Sequence, residues 1–176
     1  LHLSIRRQRQ MCIRDSWIGG SSDVAIRRTA RLGTGWLGGI DTPEQAKVVV
    51  AGIKAALEET GRSIDADHYG ATFLFRFGSL GDPSVVRTLE GLRARMSAPV
   101  SRYLVAGDAE AILSRIKEFL AAGCEKFVML PMANGTVDMM EQTRRFTEEI
   151  LPEYPHVAPD PTEWQGRIHR PYYPAG

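Results

Sequence analysis

The stretch WIGGSSDVAIRRTARLGTGW, residues 17–36, decides the reading of this chain. It opens as a buried strand, halts on Gly19-Gly20 and offers Ser21, Ser22 and Asp23. A helical period then runs to Leu32 and meets Gly33 at the C′ position. A strand that passes into a helix through small, hydroxyl-bearing residues admits two explanations. The first amides of a helix have no partner within it and stand at the positive end of its dipole. Two glycines and two serines placed there form a cradle for a phosphate. Alternatively, Ser21, Ser22 or Asp23 is an N-cap and nothing more. The motif alone leaves both readings open.

Downstream, the same alternation repeats. Gly35–Gly39 is a short apolar strand. Thr42-Pro43 with Gln45 is a capping box with proline at N1. It starts a helix whose face is Ala46, Val49, Val50, Ile53, Ala56 and Leu57 and which ends at Gly61. Residues 69–77 (YGATFLFRF) alternate, with Phe73, Phe75 and Phe77 on one face and Thr72, Leu74 and Arg76 on the other. After Asp82-Pro83, a helical stripe runs through Val85, Val86, Leu89, Leu92 and Met96. Residues 97–107 read as a connection with an extended piece near Tyr103–Val105. Asp108 caps a helix ending at Gly123, Lys126–Leu130 is a buried strand, and Val137–Leu151 is the last helix. The tail, 153–176, is rich in proline and aperiodic.

Four strand–helix units of this kind predict an α/β fold with parallel strands and right-handed crossovers. This is a small open sheet or half of a (β/α)8 TIM barrel. In either, ligands gather at the C-terminal ends of the strands. Gly19–Ser22, Gly38–Ile40, Gly78–Gly81 and Pro131–Gly135 are the loops expected there.

Composition narrows the function classes. Hydrophobic residues make up 43% of the 176 and charged residues 24%, ordinary for a globular domain. No apolar run approaches the ~20 residues of a membrane span. Cys12 and Cys124 are too far apart for a metal knuckle and the four histidines are scattered, so no metal site and no disulfide framework is expected. A reducing, cytoplasmic setting follows. The net charge of +1 comes from residues 1–16, which hold four arginines and one aspartate. That leader is aperiodic. Its string RRQRQMCIRDS resembles translated sequencing-adaptor DNA, so residues 1–16 are set aside as non-native. On that expectation the native chain continued upstream, and this is a C-terminal piece with domain 17–152.

Trp-Ile-Gly-Gly-Ser-Ser, the helix RRTARLG and Gly-Thr-Gly-Trp resemble the fifth and sixth strand region of luciferase-like monooxygenases, which include coenzyme F420-dependent oxidoreductases. TPEQAKVVVAGIKAALEETGR, AAGCEKFVMLP and FTEEILP extend the resemblance over about 17–152. Thr34 replaces the aspartate usual before Gly35. The resemblance implies strands five to eight of a TIM barrel that holds FMN or F420 at its C-terminal face. It also implies that Gly19, Gly20, Ser21 and Ser22 contact the cofactor phosphate. The residues around the redox ring belong to strands one to four of the family, so no catalytic residue is assigned. The implied function is an FMN- or F420-dependent oxidoreductase or monooxygenase acting on a small-molecule substrate, inactive as this piece alone. The rival is a non-catalytic α/β module that binds a phosphorylated ligand.

The remaining candidates each carry two readings. Arg76 either holds an anionic substrate or cofactor phosphate at the rim or pairs with a neighbouring loop. Trp36 either lines the cofactor cavity or packs in the core. Phe73, Phe75 and Phe77 are expected under helices. No basic stripe accompanies them, so nucleic acid is not an expected partner. Cys124 is expected to be inert, and Arg27-Arg28 to be a solvated face or a subunit contact. A half-barrel exposes two strand edges, so instability, aggregation or homo-oligomerisation is expected.

Overall fold

The computed structural model describes residues 16–92 and 97–154. The adaptor-like leader, Met96 and nearly all of the proline-rich tail lie outside the described residues.

The elements follow the chain as β1 (Trp17–Gly19), α1 (Asp23–Leu32), β2 (Gly35–Ile40), α2 (Pro43–Thr60), β3 (Tyr69–Phe77), α3 (Pro83–Leu92), α4 (Val100–Tyr103), β4 (Leu104–Gly107), α5 (Ala109–Ala121), β5 (Lys126–Pro131) and α6 (Gly135–Glu149). Their ends follow local chemistry. Ser22 accepts from the Ala25 amide as N-cap of α1. Thr42 and Gln45 complete a reciprocal capping box on α2, which Gly61 closes in the left-handed conformation at φ 63°. Asp108 caps α5 through the Ala111 amide. Gly33 departs from expectation. Its φ is −77°, so α1 ends in extended chain rather than a left-handed cap.

All strand pairs in the sheet are parallel. β3 is its hub. Gly70 and Thr72 pair with both β2 and β5, and Leu74 and Phe75 pair with both β4 and β5. Because a strand has two edges, β5 fills one, while β2 and β4 share the other end to end. The main path is thus β1-β2-β3-β5, with β4 filling the length of β3 beyond the end of β2. Within the expected connection at 97–107, the extended piece near Tyr103–Val105 is this fifth strand, and α4 precedes it. Four residues in the 16-residue interval between α3 and α5 are short for a strand, and pairing with β3 makes one of them. β2 runs through Gly38 and Gly39, as the strand expected at Gly35–Gly39, and takes in Ile40, which was expected in the following loop. Leu37 opposes Gly70 and Ile40 opposes Thr72, so three steps face two and a bulge turns Ile40 onto the face of Leu37.

One sheet face carries α1, α2, α5 and α6. Phe73, Phe75 and Phe77 pack there with Val49, Val50, Ile53, Ile112, Ile116 and Phe119, as their alternation requires. Phe73 stacks on Phe119 with ring centroids 5.2 Å apart. The opposite face bears Trp17, Leu37, Thr72, Leu74, Val128 and Leu130. Gly35 and Gly70 are bare there because a Cβ would strike the Trp17 ring (2.6 Å) and Leu37 Cδ1 (2.9 Å). Toward its C-terminal end, Leu74 and Leu104 are covered by Val85 and Met132, with Leu89, Leu92 and Val100 alongside. The remainder is uncovered, with Val128 40% and Leu130 38% exposed. The sheet does not close, and α3 packs on this second face at its C-terminal end.

Candidate functional site

The β1–α1 loop lies at the C-terminal end of β1, the position that parallel β/α folds use for ligands. Gly20 adopts φ +100°, and a Cβ there would also meet Ala25 Cβ at 3.2 Å. The loop is propped by Trp36, whose indole Nε1 donates to the Gly20 carbonyl at 2.9 Å. Trp36 is fully buried on the helix side, between β2 and α2. It positions the loop rather than facing the open side of the sheet.

Gly19, Gly20, Ser21 and Ser22 are all exposed. Their polar atoms are committed in part. Ser22 Oγ accepts from the Ala25 amide at 3.3 Å. Ser21 Oγ donates to the Asp41 carboxylate, 3.1 Å from each oxygen. Asp41 follows β2, and β1 pairs with β2, so register alone brings the two loops together. The sequence signal was available in Ile40-Asp41-Thr42-Pro43, where the aspartate precedes the N-cap at a strand's C-terminal end. Within the first turn of α1 the Ala25 amide is taken by Ser22, which leaves the Asp23 and Val24 amides without an intrahelical partner.

Arg76 lies on the same rim but is engaged. Its Nε donates to Asp82 at 2.6 Å, and its Nη1 donates to the Met132 carbonyl at 2.8 Å and to Asp138 at 2.9 Å. It thereby ties the loops after β3 and β5 together. The Arg76 hydrogen bond, with the amide and hydroxyl of Ser79, holds the Asp82 carboxyl below the usual carboxylate range. The Asn134 amide, then Arg76, does the same for Asp138. Sequence reading missed both partners, because they are 6 and 62 residues away from Arg76 and meet only when the strands align.

Arg27 and Arg28 are exposed on α1. Cys124 is fully buried, and burial pushes its thiol up to about 12, so it is no nucleophile at neutral pH. Among the described residues, Asp65, Asp67 and His68 bring ligand-type atoms within 4.8 Å of one another. Asp67 is already paired with Lys126 at 3.3 Å, and the group lies at the N-terminal end of β3, away from the loops. Among the described residues, no helix is long and apolar enough to cross a membrane.

By sequence, the chain matches no family model and no curated protein. By structure, it is similar to an F420-dependent secondary alcohol dehydrogenase in complex with an F420-acetone adduct, with a TM-score of 0.61 at 15% identity over 77% of this chain and 48% of that one. The coenzyme F420-dependent tetrahydromethanopterin reductase of Methanopyrus kandleri gives 0.56 at 17% identity, over 78% and 50%. A monooxygenase from Streptomyces bottropensis gives 0.60 at 14% identity, over 80% and 48%. The chain therefore spans about half the length of these structures. Parallel β/α units packed by helices, together with these likenesses, give this chain the fold of a partial (β/α)8 barrel whose sheet is not closed.

Proposed function

We propose that this chain is the phosphate-binding half of an FMN- or F420-dependent oxidoreductase of the luciferase-like type. The observation that carries the reading is the β1–α1 loop. It places a helix N-terminus, a glycine in the left-handed region and two serines on the rim of a sheet whose structural neighbours include F420-dependent enzymes. The residues fit a phosphate through backbone rather than hydroxyls. Gly20 keeps the turn tight, the Asp23 and Val24 amides stand at the positive end of the α1 dipole, and Ser22 remains the cap of Ala25. Ser21 is available once its hydroxyl turns from Asp41. Trp36 keeps the Gly20 carbonyl turned inward, away from an incoming anion. A flavin or deazaflavin supplies the redox chemistry when bound. The role of these residues is to hold its phosphate end and to orient the ring toward the open face. The substrate is a small molecule, and redox turnover by the half alone is not expected.

Titration of the purified chain with FMN, F420, riboflavin and inorganic phosphate tests the reading. Binding of FMN or F420 but not riboflavin, competed by phosphate, supports it. Phosphate binding that ignores the ring system supports a non-catalytic phosphate module instead. No binding by any of the four leaves Ser21 and Ser22 as structural residues and defeats the proposal.

A further inference from the structure

We infer that Arg76 binds substrate as well as tying two loops together: its Nη2 hydrogens form a fixed donor pair for an uncharged oxygen, a carbonyl or a hydroxyl, of the small molecule. The inference rests on the cofactor reading above, which makes this rim the place where a substrate meets the redox ring. Donor accounting is the first argument. A guanidinium has five N–H groups. Nε spends one on Asp82, and Nη1 spends its two on the Met132 carbonyl and Asp138. Among the described residues Nη2 makes no hydrogen bond, and it is not sealed from solvent. Arg76 shares its sheet face with Thr72 and Leu74, away from the phenylalanines packed under the helices, and stands near the C-terminal end of β3. Two hydrogens of an otherwise committed side chain are therefore open on the rim where parallel β/α folds take their ligands.

The way the group is held is the second argument. Joining β3 to the loop after β5 needs Nη1 alone. The Nε bond to Asp82 also fixes the plane of the guanidinium, and so the direction of Nη2. The chain is shaped around this bond. Gly78 adopts φ +154°, and a Cβ there would stand 2.3 Å from Asp82 Oδ2 and 3.3 Å from Arg76 Nε. The Ser79 amide and hydroxyl orient Asp82, and the Asn134 amide orients Asp138 at 2.7 Å. A donor fixed in this way loses little freedom when a ligand oxygen arrives. Charge is the third argument, and it sets the ligand class. One arginine and two aspartates leave the cluster with a net negative charge, and Arg145, stacked over the Phe77 ring, is paired with Glu149. A phosphate or a carboxylate is repelled here, whereas an uncharged oxygen accepts without that cost. The rim is thereby divided. The β1–α1 loop takes the phosphate end, and Arg76 takes the uncharged one.

Titration of the isotope-labelled chain with acetophenone and with benzoate, a ketone and a carboxylate of similar shape, is the test. It is read by NMR at the arginine side-chain N–H signals that Arg76→Lys removes. Acetophenone is expected to shift those signals saturably, and benzoate to leave them in place at the same concentration. Arg76→Lys keeps the charge but not the fork, and is expected to weaken acetophenone binding by about tenfold. Asp82→Asn retains an acceptor for Nε and removes one negative charge. It is expected to strengthen benzoate binding by about tenfold and to change acetophenone binding by less than about twofold. This second variant reports on the charge argument even where Arg76→Lys unfolds the loops. FMN titration separates the inference from the cofactor reading. FMN held by Arg76→Lys as tightly as by the parent chain, with acetophenone lost, supports the divided rim. If FMN binds while the Arg76 signals ignore acetophenone, this inference falls and the cofactor reading stands. If FMN fails to bind while acetophenone still shifts the signals, the donor site stands and the cofactor reading falls. Equal response to acetophenone and benzoate, or benzoate binding indifferent to Asp82→Asn, also overturns the inference.

Discussion

At the level of single residues, the rim is shaped by a competition for hydroxyls. Ser22 serves α1 as its cap, and Ser21 is held by the carboxylate of Asp41. Asp41 therefore opposes anion binding twice, by its charge and by occupying a donor. Asp41→Asn removes the charge and frees part of the hydroxyl. It is expected to tighten phosphate-dependent FMN or F420 binding by about tenfold, read by titration. Gly20→Ala puts a Cβ against Ala25 at a φ that side chains avoid, and is expected to lower stability by about 1–2 kcal/mol in urea melts. Arg76 ties two loops through Asp82 and Asp138, whose folded carboxyl pKa values are both depressed. Their contribution is therefore present above the unfolded carboxylate value of about 4 and is lost as pH falls through the lower folded values. Arg76→Met is expected to melt earlier at pH 7 and to lose less between pH 7 and pH 3 than the parent chain. The Asn134 amide preserves part of the slope at Asp138. Equal acid slopes in the two proteins would show that the pairs contribute nothing to folding.

At the level of elements, the helices were legible because their signals are local. Thr42, Pro43 and Gln45 lie within one turn, and the reciprocal cap they form follows from spacing alone. Thr42→Ala is expected to cost about 1 kcal/mol, measured as a shift in the denaturation midpoint. β4 was legible only as an extended piece near Tyr103–Val105 and not as a member of the sheet. Its four residues are secured by contacts remote from themselves. Arg115 on α5 donates from Nη1 to the Arg102 carbonyl at 2.7 Å and from Nη2 to the Ser101 carbonyl at 2.8 Å. This guanidinium is buried. Arg115→Met is expected to loosen α4 and β4 before the rest, with amide exchange at 104–107 accelerating ahead of exchange at 69–77. Uniform acceleration across both segments would show that β4 does not depend on this anchor.

At the level of the whole molecule, stability rests on the helix side of the wall. Phe119 is fully buried on Phe73 and joins α5 to β3. Phe119→Ala is expected to cost about 3–5 kcal/mol and to abolish a cooperative thermal transition. The sequence by itself determined the order of strands and helices, their parallel sense, the helix-facing phenylalanines and the loop at Gly19–Ser22. Each of these is written in periodicity or capping within a few neighbouring residues. Only the tertiary structure decided that β2 and β4 share one edge of β3, that Trp36 props the loop from the core side, that Arg76 is taken by two aspartates, and that Asp41 faces Ser21. Those outcomes depend on strand register and on partners tens of residues away. No local pattern encodes such distances, because the pairing energy exists only once the sheet has formed.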